Sequence, residues 1–171
     1  MGLFTSYQGL EDRMEGGPVW PIDLGAFRIG PHPLGGPPDP RDPWGRLLAG
    51  DAVFKPQDSG LEIGTRAGAI DYAFVEIGTF TGGFRRNGQP LDLGPDCCVD
   101  WVRKHFGEPY WTDESDGERI LFYEYDGGCT ELQFEFPDGQ SLGFLTLSRD
   151  GVLSDATRRA AYGCDRPWPP A

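Results

Sequence analysis

The chain has 171 residues, 38% of them apolar, and carries a formal net charge of −12 from 15 Lys and Arg against 27 Asp and Glu. That length suits one domain able to bury a core without disulfide or metal staples, and no apolar run approaches the roughly 18 residues that span a membrane. Acidity argues against nucleic acid, whose phosphates are held by Lys and Arg, and makes a basic protein the electrostatic complement.

From the N-terminus, Met1-Gly2-Leu3-Phe4-Thr5-Ser6 fits the short myristoylation pattern M-G-x-x-x-[ST]. Neither a basic nor an apolar leader region falls between Met1 and Gly17, so no secretory signal is expected. Cys97, Cys98, Cys129 and Cys164 are then expected to stay reduced in a cytoplasm. They form no C-x-x-C pair and only His32 and His105 can join them, so neither a metal nor a cofactor is expected. The 13 Arg against Lys55 and Lys104 alone, with abundant Gly, Pro, Asp and Ala, point by association to a GC-rich bacterial source.

Nine of the 16 prolines fall between Gly16 and Pro56, which limits regular structure there because proline cannot donate to a ladder or helix. Yet the same stretch carries Trp20, Ile22, Leu24, Phe27, Ile29, Leu34, Trp44, Leu47 and Leu48. Residues 1–60 therefore read as an irregular Pro/Gly-rich segment packed on a single domain of residues 1–171.

Strand signals begin at Leu61. Leu61 to Arg66, Ile70 to Ile77 and Phe80 to Arg86 are rich in β-branched and aromatic residues, and Asn87-Gly88 supplies two residues suited to positive φ. Apolar positions Cys98, Trp101, Val102 and Phe106 share one helical face, closed by Gly107-Glu108-Pro109. The second half repeats this order with strands Arg119 to Tyr125, Thr130 to Phe136 and Ser141 to Leu147, then a helix Asp155 to Tyr162 capped by Ser154. The expected fold is α+β: an antiparallel sheet built from two β-β-β-α repeats, residues 61–107 and 119–163, with the helices on one face.

The helix end Phe106-Gly107-Glu108-Pro109, an acidic loop and Ile120-Leu121-Phe122-Tyr123-Glu124-Tyr125 leading into a meander resemble the repeat of small bacterial lipoprotein and β-lactamase-inhibitor-like modules. The chain is also similar in kind to acidic immunity-type proteins of polymorphic toxin systems. The likeness covers about residues 91–147. It implies a scaffold that binds another protein and carries over no catalytic residue.

Charge placement is the sharpest functional feature. Between Glu108 and Asp138 stand ten acids against Arg119 alone. Strand alternation puts Glu124, Glu131 and Glu135 on one sheet face, continued by Asp113, Glu114, Asp116 and Glu118 in the loop. With Tyr110 and Trp111 as a partly exposed aromatic anchor, these residues form the expected partner-binding surface. An ordinary solvated face is the alternative.

Catalytic signals are weaker. Asp113-Glu114-Ser115-Asp116-Gly117-Glu118 is rich in hard oxygen donors, but the residue six beyond Gly117 is Tyr123 where an EF-hand needs Glu. Gly139-Gln140-Ser141-Leu142-Gly143 matches G-x-S-x-G, yet it follows a turn and both histidines lie upstream. Cys98 and His105 stand two helical turns apart, too far for thiolate activation. The expectation is thus a non-catalytic binder of a basic protein. The alternative is an enzyme using the same carboxylates on a small cationic or sugar ligand, signalled by a pocket where Glu124, Glu131 and Glu135 converge.

Overall fold

A computed structural model describes residues 19–170, so the myristoylation pattern and the leader reading lie outside the described residues. The Pro-rich stretch contributes β1 (Ile22–Asp23), β2 (Arg28–Ile29) and β3 (His32–Pro33). Next come β4 (Val53–Phe54), β5 (Leu61–Arg66), β6 (Ala69–Glu76), β7 (Phe84–Arg86), β8 (Gln89–Leu91) and helix α1 (Val99–Phe106). The acidic half contains β9 (Trp111–Ser115), β10 (Glu118–Tyr125), β11 (Thr130–Phe136), β12 (Phe144–Arg149) and helix α2 (Ala156–Ala161). Among the described residues, no helix is long and apolar enough to cross a membrane.

The architecture is α+β, with mostly antiparallel strands in two sheets. One is ordered β3-β2-β1-β7-β8 and the other β4-β5-β6-β12-β11-β10-β9. The pairing of β1 with β7 is parallel. Asn87 (φ 51°) and Gly88 (φ 80°) make the tight turn between β7 and β8 that their residue types predict. Asp116 (φ 52°) and Gly117 (φ 84°) do the same between β9 and β10, converting the expected acidic loop into a hairpin.

The two expected repeats do not share a strand order. β10, β11 and β12 are consecutive neighbours in the large sheet, whereas β5 and β6 lie there and β7 belongs to the small one. The cause is that β6 is already paired on both edges, by β5 and by β12, leaving no place beside it for a third local strand. Gly151 also departs from Gly88, with φ near −58° where Gly88 is positive. Nor do the helices share a face. Phe106 of α1 packs on Tyr123 and Phe134, while Tyr162 after α2 packs on Phe122, and consecutive strand residues point to opposite sides.

The core lies on the Tyr123 face. Register sets Leu121 beside Phe134 and Leu145, and Tyr123 beside Leu132, Leu147 and Ala73. Their buried cluster continues into Ile22, Ile29, Trp44 and Leu48 of the Pro-rich stretch. Trp20 packs 4.5 Å from the buried His32 ring, whose Nδ1 accepts the Asp39 N–H at 3.0 Å. Burial holds the His32 pKa below its ordinary value. In α1 the core face is Val99, Val102 and Phe106. Trp101, half-buried and stacked on His105 at 3.8 Å, packs against the same core, as expected, whereas Cys98 is exposed and Val99 takes its place on the buried face.

Candidate functional site

Alternation along β10 and β11 does place Glu124, Glu131 and Glu135 on one face, with Glu124 directly opposite Glu131. That face is not a solvated surface at this end of the sheet. Phe122, Gln133 and Glu131 on it are buried, and the chain after β12 covers them. Tyr162 meets the Phe122 ring at 5.2 Å, and the Trp111 indole N–H donates to the Tyr162 carbonyl at 3.0 Å. Trp111 is half-buried, partly exposed as expected, with its indole N–H already engaged inside the molecule. Tyr110 is likewise engaged, its hydroxyl donating to the Pro167 carbonyl.

Glu131 is the bolt of this cover. Its carboxylate accepts the N–H of Val152 at 2.9 Å and of Leu153 at 3.1 Å, and also the Gln133 side-chain amide. Gly151 lets the turn lie this close, since a Cβ there would stand 2.2 Å from the Glu131 carboxyl carbon. Across the strand, neither oxygen of Glu124 reaches solvent or meets a donor. Burial first, then the adjoining Glu131, pushes the Glu124 pKa up to about 9. At neutral pH Glu124 is consequently a neutral acid whose own proton serves Glu131. Glu135 is half-buried, and burial, reinforced by the charge of Glu118, raises its pKa too.

The expected nine-residue surface thus divides. Glu114, Asp116 and Glu118 are exposed at the β9–β10 hairpin with Asp113 half-buried beside them, and Arg119 pairs with Glu114 at 2.8 Å. Glu131 is buried, Glu124 is half-buried with both carboxyl oxygens shut from solvent, and Glu135 is half-buried. A signal in the sequence marks this division: Trp111 and Phe122 share the face of Glu124, and a solvated sheet face does not carry both.

A cleft of about 540 Å³ opens where β9 stops. β9 pairs with Glu118 to Phe122, so among the described residues Tyr123–Tyr125 present an edge with no strand beside it. Phe106, Tyr110, Tyr123 and Tyr125 give aromatic walls, Glu108 and Glu124 bring carboxyls, and Arg166 with Pro167, Pro169 and Pro170 forms the remaining side. Sequence reasoning did not find this cleft, because its lining comes from three separate stretches. Of Glu124, Glu131 and Glu135, only Glu124 lines it.

The remaining motifs are placed by the fold. The G-x-S-x-G letters occupy the connection between β11 and β12, where Asp138 accepts the N–H groups of Gln140 at 2.8 Å and Ser141 at 2.6 Å, a turn and not a strand-to-helix elbow. His105 faces Trp101, with its Nδ1 2.8 Å from the Trp101 carbonyl. Among the described residues, no three His, Cys, Asp or Glu side chains gather as a metal site. Compared with protein-family models, curated proteins and solved structures, the chain finds no match.

Proposed function

We propose that this protein is a non-catalytic binding module for a basic protein in a bacterial cytoplasm, an inhibitor of the immunity type, with the β9–β10 hairpin as its steering element. The observation that carries the reading is the hairpin itself. Asp113, Glu114, Asp116 and Glu118 crowd a tight turn, three of them exposed, with Arg119 as local counter-ion. Such a concentration attracts a cationic partner over about a Debye length, roughly 8 Å at physiological ionic strength. The hairpin is favoured as the contact surface because, of the sheet-face acids, Glu131 is buried and the Glu124 oxygens are shut from solvent.

The test is a partner captured from the native host and followed kinetically. Its association rate is expected to fall as salt rises, and to fall again when all four hairpin acids are changed to Asn or Gln, with dissociation little altered. An acidic partner, or an association rate indifferent to the four changes, overturns the reading. A carboxylic-acid catalyst is the second reading, favoured by the neutral Glu124 in the cleft wall. It requires that a glycoside or small amide be turned over by the wild type and not by Glu124→Gln.

A further inference from the structure

The cleft contains a feature that the hairpin reading does not use: its aromatic walls already hold guanidinium groups. Arg86 lies 4.8 Å over the Phe106 ring and Arg166 lies 5.7 Å over the Tyr110 ring. We propose that the cleft is a docking site for an arginine side chain of the basic partner, and that the chain's own Arg166 occupies its mouth in the free protein. This rests on the basic-partner reading and deepens it by naming the group recognised.

Three observations fit an incoming guanidinium. Arg166 is exposed and makes no ion pair among the described residues, so its place over Tyr110 is held by the ring and by the tether of the tail. Glu108, its side chain 81% exposed, stands at the same cleft with only a 3.6 Å contact to Arg103, and so has oxygen lone pairs to offer. A planar guanidinium both stacks on an aromatic face and forks onto a carboxylate, which the compact ammonium of lysine does less well. Among the described residues no strand pairs with the β9-side edge of Tyr123–Tyr125, which leaves their backbone groups there for a bound segment to meet.

The tail makes Arg166 a displaceable occupant. Tyr110 holds the Pro167 carbonyl, and Trp168 seats on Tyr110 at 6.0 Å and beneath the Arg159 guanidinium at 5.0 Å. These contacts keep Arg166 near the cleft without a bond from its guanidinium to an acid. Removing the Arg166 side chain frees the ring and leaves the Trp168 anchor in place.

The experiment uses the full chain and two capped tetrapeptides, Gly-Arg-Pro-Gly and the same peptide with citrulline for arginine, equal in shape and lacking the charge. Binding is read by calorimetry and by the ring resonances of Tyr110 and Tyr123. The arginine peptide is expected to bind and shift both rings, with the citrulline peptide about tenfold weaker or worse. Arg166→Ala is expected to tighten the arginine peptide several-fold, and Glu108→Gln, at an exposed position, to weaken it. Equal binding of the two peptides, no binding, or an affinity unmoved by Arg166→Ala overturns the site. If the peptides fail while a basic partner still associates in a salt-dependent, hairpin-dependent way, this inference falls and the proposed function stands. If the peptide binds and hairpin neutralisation leaves the partner unaffected, the failure lies with the steering hairpin instead.

Discussion

Glu118 and Glu124 sit on the same face of the same strand, six residues apart, and live in opposite circumstances. Glu118 is exposed at a hairpin whose neighbours are Asp116 and Glu114, and none of the described residues covers it. Glu124 faces the buried Glu131 beneath the segment from Gly151 to Tyr162, and its carboxyl stays protonated at neutral pH. The strand supplies only the side on which each residue points. What decides charge is the packing that arrives from elsewhere: three donors secure Glu131, and Glu124, with none, keeps its proton. An acid count along a sequence is therefore not a surface charge.

The contrast is tested most strongly at its buried end. Glu131→Ala should cost about 3–5 kcal/mol in urea unfolding, because it leaves the amides of Val152 and Leu153 and the Gln133 side chain without their acceptor. Amide exchange in residues 152–162 should rise before that of β11. A cost below about 1 kcal/mol would show that the cover is not bolted there.

Glu124→Gln should act in the other direction. With a folded pKa of about 9 against an ordinary 4.5, wild-type Glu124 contributes stability that is fully present below pH 4.5 and is lost as pH rises through 9. Glutamine keeps a donor for Glu131 and has no proton to lose. The variant should gain on the order of 2 kcal/mol at neutral pH, screening allowed for, and its stability should vary less between those two pH values. Thermal unfolding across that pH range reads both effects, and a variant that follows the wild-type curve would place Glu124 in solvent.

At the exposed end the effects shrink. Gly117→Ala should cost about 1 kcal/mol, from backbone strain alone, since its φ is 84° and nothing stands within 4 Å of an added Cβ. Neutralising Asp113, Glu114, Asp116 and Glu118 should change stability by no more than about 0.5 kcal/mol per site, while slowing association with a basic partner. If that fourfold change unfolded the protein, the two ends of β10 would not differ as described.

Much of this was legible in the residues themselves. Leu132, Phe134 and Phe136 alternate with Glu131, Gln133 and Glu135, and the period of two alone assigns their sides. Asn87-Gly88 announces its turn because both residues tolerate positive φ, and the limits expected for the strands at Leu61 and Thr130 agree with those observed. These are local properties, settled by the backbone and by neighbours in the chain. Which sheet receives β7, which face receives each helix, and whether an acid is wet or buried are not local. β12 takes the edge of β6 from some seventy residues away, and Glu131 is buried by backbone groups 21 and 22 positions downstream. The cleft likewise exists only because α1, β10 and the C-terminal prolines meet. Local chemistry determined the elements and the sides of their residues. Only the tertiary structure decided which carboxylates keep their charge, because desolvation depends on whatever packs against a group, however distant in the chain.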